Sequence, residues 1–260
     1  ENLKVAINPE VKKRIENVPT KNTEAYILFL RCANMNLEFD QAVPMLERSI
    51  SLDPGFADAY AGLALYWAYE GGHAGSLTRE QVLEKAEPLL TKALALDKNS
   101  LLTHFAIATI RLYYYWDFES VKKEFSIVKQ LGPISEFPYD FFLDYLLSSG
   151  EFGEAFNIAK ESFDLNKNSE SHWIAMALVL YYVGQHEKAL ETLETTRRLF
   201  PSEHLAILNS VRLFTYLKKY NEAIGLFEKS VGSENPNNII PWYLGLLGIA
   251  YFNVGEKPKS

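Results

Sequence analysis

Apolar positions along the chain recur in a simple pattern, in which a small residue is followed four positions later by an apolar residue. The six occurrences are Ala42/Leu46, Ala86/Leu90, Val121/Phe125, Ala155/Ala159, Ala189/Leu193 and Ala223/Phe227. From Ala42 onward the steps between them are 44, 35, 34, 34 and 34 residues. A period near 34 residues predicts an array of helical hairpins that stack side by side.

A second pattern lies about sixteen residues before several of these small residues, where a large or aromatic residue is followed three positions later by a second residue, usually apolar. The pairs are Tyr26/Phe29, Tyr139/Phe142, Trp173/Met176 and the weaker Ile207/Ser210. A small side chain flanked by large ones allows two antiparallel helices to approach closely at their crossing. The alanines are therefore predicted to be structural and not chemical.

These patterns resemble the tetratricopeptide repeat (TPR) family, whose unit reads W-x2-L-G-x2-Y, then A-x3-F, then P. The fifth unit and the last half-unit carry the resemblance most clearly, through Trp173, Met176, Ala177, Leu180, Gly184, Ala189, Leu193 and Pro201, and through Leu247, Gly248, Tyr251 and Gly255. The resemblance covers residues 23 to 260 and implies an all-α, right-handed superhelix of about six helical hairpins plus a further C-terminal helix. Lys98, Lys167 and Lys218 depart from it, because they replace two closing prolines and one turn glycine.

The repeat pattern predicts where the domain boundaries lie. Residues 1–22 are expected to form a leading helix or linker, and residues 23–260 the array. Its units are expected at about 23–56, 57–100, 101–134, 136–169, 170–203 and 204–237, with a half-unit at 239–260. The second unit carries ten extra residues, which are expected to form a glycine-rich loop around Glu70 to Thr78. Thr78 and Gln81 form a predicted capping box that starts a helix at Arg79.

Composition excludes several classes of protein. Hydrophobic residues make up 48% and charged residues 23% of the 260 residues, which is typical of a folded chain. The formal net charge is −7, so nucleic acid is not an expected partner. The longest apolar run, from Trp173 to Val183, is too short to cross a bilayer, and no membrane insertion is expected. Cys32 is the one cysteine, which excludes an internal disulfide and a cysteine-based zinc site.

Residues with catalytic or metal-binding chemistry do not form a recognisable site. The five histidines include no i,i+4 pair, so no metal and no cofactor is expected. Asp140 and Asp144 lie one helical turn apart and could form a carboxylate pair. An α/α-toroid enzyme acting on carbohydrate is therefore retained as an alternative, although a solvated acidic patch and a chain without enzymatic activity are favoured.

The exposed stripe of the first helix of each hairpin is the candidate binding surface, because the TPR resemblance implies a concave groove there that holds a peptide or a partner helix. Tyrosine is prominent in this stripe, and its large apolar ring with a hydroxyl group suits recognition. The predicted partner-binding residues are Arg31, Tyr69, Phe105, Tyr113, Asp140, Asp144, Tyr181, Tyr182, Arg212 and Tyr216. The basic set that holds acidic peptide tails in chaperone-binding TPR domains is absent, so an apolar or somewhat basic segment is predicted as the ligand.

A second resemblance places the chain in a larger protein. The entry segment from Asn2 to Tyr26 and the motif Tyr115-Trp116-Asp117-Phe118 are similar to the TPR region of bacterial signalling proteins, which lies downstream of nucleotide-cyclase, winged-helix or TolB-like domains. This resemblance implies a scaffold or sensory fragment for signal transduction, cytoplasmic, or periplasmic if the parent protein has an upstream membrane span. The start at Glu1, without a Met, agrees with a fragment. The apolar stretch Ile239–Phe252 is expected to need a cover, through continuation of the chain or through self-association, so a homo-oligomerisation scaffold is a further alternative.

Overall fold

The fold is described from a computed structural model of the chain, over residues 19–33, 37–69, 77–131, 139–201, 205–230 and 241–255. Every regular element in these ranges is a helix. The helices are α1 (Thr23–Cys32), α2 (Phe39–Leu52), α3 (Ala57–Tyr69), α4 (Arg79–Leu96), α5 (Leu101–Ile110), α6 (Phe118–Leu131), α7 (Tyr139–Ser148), α8 (Phe152–Leu165), α9 (Glu170–Tyr182), α10 (His186–Leu199), α11 (Leu205–Tyr216), α12 (Tyr220–Ser230) and α13 (Pro241–Val254). Within these ranges the helices form six helical hairpins followed by one further helix, so the fold class is all-α.

The first compact unit spans Glu1–Ile134 and contains the hairpins α1/α2, α3/α4 and α5/α6. The first helices also pack on one another, because α3 contacts both α1 and α5. Two apolar clusters form its core. One is centred on α1, α2 and α3 around Phe56 and Leu46, and the other on α3, α4 and α5 around Val82 and Ala106.

The second compact unit spans Ser135–Ser260 and contains the hairpins α7/α8, α9/α10 and α11/α12, followed by α13. Its first helices are in contact in the same order, α7 with α9 and α9 with α11. Helix α13 packs on both α11 and α12, and the core there includes Val211, Ala223, Leu247 and Ala250.

The small residues of the repeat pattern lie at the helix crossings, as predicted. All six have no exposed surface: Ala42, Ala86, Val121, Ala155, Ala189 and Ala223. A side chain with no exposed surface at a crossing leaves no room for extra methylene groups, because overpacking a filled core costs about 1–3 kcal/mol. The spacing of the small residues in the sequence therefore indicates where the paired helices pack closely.

The turn between the two helices of a hairpin repeats with the same period. Gly150 and Gly184 have positive φ angles of 79° and 81°, and one period later Lys218 has a φ of 59°. The residue after each donates its N–H to a carbonyl five positions earlier, as Gln185 does to Leu180 at 2.8 Å and Lys219 to Phe214 at 2.8 Å. In each hairpin this hydrogen bond closes the end of the first helix and sets the direction of the second helix.

The third hairpin departs from this turn. A single π-helical turn, Arg111–Tyr115, follows α5 and ends at Trp116, whose φ is 54°. A positive φ is unusual for a bulky residue and costs conformational energy. Trp116 is also 73% exposed, so the turn that contains the predicted signalling motif presents a large aromatic side chain to solvent.

The predicted capping box is confirmed. The Thr78 side chain accepts from the Gln81 N–H, the Gln81 side chain accepts from the Thr78 N–H at 2.8 Å, and α4 begins at Arg79.

The leading segment 1–18 and the glycine-rich loop at 70–76 lie outside the described residues. Cys32 is buried as a free thiol, and burial raises its pKa.

Candidate functional site

Four of the predicted binding residues meet in the second unit, at the turn ends of its hairpins. Tyr181 and Tyr182 are the last two residues of α9, Tyr216 is the last residue of α11, and Arg212 lies one helical turn before it. Phe152 begins α8 and His186 begins α10, and both join the group. We call these six residues the aromatic cluster.

The rings of the aromatic cluster form a continuous series. Phe152 stacks on Tyr182 with ring centroids 5.9 Å apart, and Tyr182 meets Tyr181 edge to face at 5.4 Å. Tyr181 in turn stacks on His186 at 5.0 Å and lies 5.8 Å from the tilted ring of Tyr216. Such distances are favourable for aromatic pairs, so the rings support one another at the surface. The series joins all three hairpins of the unit.

Arg212 ends the series. Its guanidinium carbon lies 5.5 Å from the centre of the Tyr216 ring, within range of a cation–π interaction. Its Nε also donates to the Tyr216 hydroxyl oxygen at 3.3 Å. Because that oxygen accepts from Arg212, the Tyr216 hydroxyl hydrogen is directed elsewhere.

The hydroxyl groups separate these tyrosines from the tyrosines that stabilise the fold. Tyr66 donates to the Cys32 carbonyl at 3.1 Å, Tyr114 donates to the Ala68 carbonyl, and Tyr251 bonds to Glu228 at 2.9 Å. The hydroxyls of Tyr181 and Tyr182 have no hydrogen-bond partner within the described ranges. Both rings are half-buried, and Phe152 and Tyr216 are 37% and 38% exposed. The aromatic cluster therefore offers partly exposed rings, together with hydroxyl groups of Tyr181 and Tyr182 that the described part of the fold does not use.

The surroundings of Tyr181 favour the protonated form of its hydroxyl. Desolvation raises the pKa of the Tyr181 phenol, and the neighbouring Tyr182 and Tyr216 raise it further, while Arg212 acts in the opposite direction. A protonated phenol can donate one hydrogen bond. The Tyr181 hydroxyl is thus available as a hydrogen-bond donor among the rings of the aromatic cluster.

The other predicted binding residues are distributed over both units. In the first unit, Arg31 is exposed on α1. Tyr69 at the end of α3 and Tyr113 in the π-helical turn after α5 are each about half exposed. In the second unit, Asp144 is exposed on α7, one helical turn after Asp140, whose side chain lies outside the described part of the chain.

Phe105 does not lie on an exposed face. It is only 5% exposed and packs inside the first unit, although the stripe pattern predicted a binding role. The reason is that α5 is apolar on nearly all sides, so the sequence does not show which stripe faces outward. We correct the prediction for this residue.

Phe152 and His186 were missed by the sequence analysis, which considered only first helices. Both stand two residues after the turn residue with positive φ, and an aromatic ring recurs at that place in Phe118, Phe152, His186 and Tyr220, each separated by 34 residues. This aromatic period was available in the sequence. The structural role of these aromatic residues depends on the turn, because the turn brings the first residue of the second helix beside the end of the first helix.

The turn motif of the third hairpin is built around Tyr115. The guanidinium carbons of Arg79 and Arg111 lie 4.8 and 4.6 Å from the centre of its ring, and its hydroxyl donates to Glu87 at 2.6 Å. Arg79 Nε also donates to the Tyr114 carbonyl at 2.5 Å. These contacts tie α4 to the π-helical turn, which explains how the turn is held in an unusual conformation.

No group of three or more His, Cys, Asp or Glu side chains in the described ranges is placed to hold a metal ion. None of the helices described here combines the length and apolar character needed to span a membrane.

Comparison with known proteins identifies the fold. No protein-family model and no curated protein matches the sequence. Among solved structures, yeast Tom70 is similar at a TM-score of 0.54 and 20% identity, over 94% of this chain and 50% of Tom70, so this chain spans half the length of that structure. PilF of Pseudomonas aeruginosa is similar at a TM-score of 0.50 and 19% identity, over 81% of this chain and 91% of PilF. Both are TPR proteins. With its period of 34 residues, its small residues buried at the crossings and its similarity to these structures, the chain has the tetratricopeptide-repeat fold.

Proposed function

We propose that this chain is a protein-interaction module that binds a peptide segment of a partner on the first helices of its hairpins, and that it has no catalytic role of its own. The observation that carries the proposal is the aromatic cluster, in which tyrosine rings are assembled at the surface with hydroxyl groups left unused. Tyrosine is enriched at the centres of interfaces, because one side chain supplies large apolar area, few torsions to immobilise and a hydrogen-bonding group.

Charged groups on the second unit support an apolar or basic segment as the ligand. Asp144 supplies an exposed carboxylate on α7 of the same unit, and Arg212 is already placed over Tyr216. A segment with a basic residue beside its apolar part gains attraction from Asp144, whereas an acidic tail is repelled by it. The net charge of −7 acts in the same direction at long range.

The parent protein is proposed to be a bacterial signalling protein, in which this region regulates an output domain such as a nucleotide cyclase. The support is the similarity of the entry segment and of Tyr115-Trp116-Asp117-Phe118 to such regions. The chain is proposed to act in the cytoplasm, or in the periplasm if an upstream membrane span exists. In either place its effect on the output domain would follow from what occupies the binding surface.

A selection from a random peptide library tests the binding proposal. The full chain is immobilised, peptides are selected, and their affinities are measured for the wild type and for the Tyr181→Ala/Tyr216→Ala variant. We expect selected peptides to lose at least about tenfold in affinity for the variant, since removing two interface tyrosines costs more than 1.4 kcal/mol.

The matched control is Leu199→Ala, which truncates an exposed apolar side chain at the end of α10, on a second helix and outside the aromatic cluster. Circular dichroism verifies that each variant remains helical. Peptides that bind the wild type and the double variant equally well would contradict the proposal, and so would a selection that enriches no peptide.

A second proposal, self-association, is favoured by one observation on α13. This helix contains no charged residue, and Leu244, Ile249 and Phe252 are exposed, with Phe252 at 84%. Gly245 and Gly248 leave open space on the same helix. Large exposed apolar patches mark interfaces, so we propose that two copies associate through the Ile239–Phe252 region. Light scattering on the full chain tests this, and a monomer at all concentrations contradicts it.

A further inference from the structure

We propose that the segment bound by the aromatic cluster is a proline-rich peptide in the polyproline-II conformation. This inference rests on the proposed function, because it specifies the ligand of the same surface. It follows from the kind of polar groups that the aromatic cluster offers and from the way its rings are arranged.

The hydroxyl groups of the aromatic cluster are suited to ligands that offer hydrogen-bond acceptors. The hydroxyls of Tyr181 and Tyr182 are unused by the described residues, and the Tyr216 hydroxyl accepts from Arg212, which leaves its hydrogen to donate outward. A polyproline-II segment makes no internal hydrogen bonds, so its carbonyl groups are available as acceptors. Proline also lacks an N–H, so the ligand brings few donors that would need partners on this surface.

An α-helical ligand meets these groups less well. Its backbone carbonyls are bonded within the helix, so only its side chains could accept from the three hydroxyls. Helices usually dock with an apolar face in a hydrophobic groove, through anchors one or two turns apart. The aromatic cluster instead presents contacting rings that carry hydroxyl groups, and this pattern is closer to the aromatic surfaces that bind proline-rich segments.

The ring geometry also fits pyrrolidine rings. Tyr181 and Tyr182 meet at 80°, so the two faces form the walls of an angular notch, while Tyr182 and Phe152 are nearly parallel at 19°. Flat pyrrolidine rings can stack against such faces and bury apolar surface at both partners. A polyproline-II chain is already ordered before binding, so less conformational entropy is lost than for a flexible peptide.

The experiment is a fluorescence-anisotropy titration of the full chain with a labelled deca-proline peptide that carries a lysine at each end. The comparison peptide has alanine in place of every proline, with the same ends, and therefore favours a helix. We expect deca-proline to bind at least about tenfold more tightly than the alanine peptide, which corresponds to about 1.4 kcal/mol.

The variant Tyr181→Phe/Tyr182→Phe tests the role of the hydroxyls while keeping both rings. We expect it to lose about thirtyfold in affinity for deca-proline, which corresponds to about 2 kcal/mol for the two lost hydrogen bonds. Tyr60→Phe is the matched control, since the Tyr60 hydroxyl lies in the first unit and donates to the Pro54 carbonyl at 3.4 Å. Its affinity for deca-proline is expected to equal that of the wild type.

The outcomes separate this inference from the proposed function. If library-selected peptides need Tyr181 and Tyr216 but deca-proline does not bind, or binds no better than the alanine peptide, the polyproline inference is overturned and the binding function stands. Equal affinity of the double phenylalanine variant and the wild type for deca-proline also overturns it. If no peptide of any kind depends on the aromatic cluster, the proposed function fails as well.

Discussion

Lys218 adopts the same left-handed backbone conformation as Gly184, one 34-residue period earlier in the chain. The φ angles are 59° and 81°, and each residue donates its N–H to a carbonyl three positions earlier at 3.0 Å, Lys218 to Thr215 and Gly184 to Tyr181. Glycine adopts this conformation without steric cost, whereas lysine does not. The fold of the repeat therefore overrides the local preference of Lys218.

We predict that Lys218→Gly stabilises the second unit by about 0.5–1 kcal/mol, because relief of the left-handed strain exceeds the entropy that glycine loses on folding. Gly184→Ala is expected to destabilise it by about 1 kcal/mol, for the opposite reason. Urea denaturation followed by circular dichroism measures both. A Lys218→Gly variant less stable than the wild type would show that the lysine side chain contributes more than the backbone strain costs.

His104 is predicted to lose its proton at a higher pH than His172. Its Nδ1 lies 2.5 Å from a carboxylate oxygen of Glu124, and its Nε2 lies 2.9 Å from the Lys98 carbonyl oxygen. Two acceptors require both nitrogens to be protonated. The hydrogen bond to Glu124 is the main cause that raises the pKa of His104, and burial acts against it.

The raised pKa fixes the direction of the pH dependence. Stabilisation by His104 is fully present below about pH 6.5, the usual pKa of the unfolded state, and is lost as the pH rises through the higher pKa of the folded state. Glu124→Gln should lower this pKa and flatten the dependence. NMR of the imidazole nitrogens measures it, with His172 as the internal comparison, because burial lowers the pKa of His172. Titration of His104 before His172 would contradict the assignment.

Asp144→Lys should change the charge preference of the binding surface. A library-selected peptide is synthesised with either two lysines or two glutamates at its end, and the affinities of both are measured. For the variant, we expect the lysine form to bind several-fold more weakly and the glutamate form more tightly, since one charge pair near a surface contributes about 1 kcal/mol. Glu161→Lys makes the same charge change on α8 and serves as the control. If both variants change the peptide affinities equally, the charge preference reflects long-range attraction and not the position of Asp144.

Phe252→Lys should abolish self-association through α13. The side chain is 84% exposed and is not needed for the core of the second unit, so the variant is expected to fold normally. Light scattering coupled to gel filtration should show a dimer for the wild type and a monomer for the variant. Ile27→Lys, an exposed position on α1, is the control and should remain dimeric.

The repeat pattern predicted the all-α fold because its signal comes from close packing, which depends on side-chain size at fixed positions. Ala42 and Ala189 had to be small for the helices to cross, and both are fully buried. The capping box at Thr78 was predictable for a similar reason, since its two hydrogen bonds are local. Contacts within about one helical turn or one repeat are thus readable from the sequence.

The candidate site was only partly predictable. Tyr181, Tyr182, Arg212 and Tyr216 were identified from the helix stripe, but Phe152 and His186 join them through the turn geometry, which depends on the positive φ at Gly150 and Gly184. The π-helical turn at Arg111–Tyr115 was also unpredicted, because the one extra residue in the 35-residue step from Ala86 to Val121 could equally have belonged to a loop. Phe105 was also identified from the helix stripe, but packing buries it.

Hydrogen–deuterium exchange of the full chain, with and without a library-selected peptide, tests the binding surface most directly. We predict that the peptide slows exchange at the end of α9, the start of α10 and the end of α11, where Tyr181, His186 and Tyr216 lie. Slowed exchange restricted to the middle of α10 and α12, with none at these turn ends, would contradict the account.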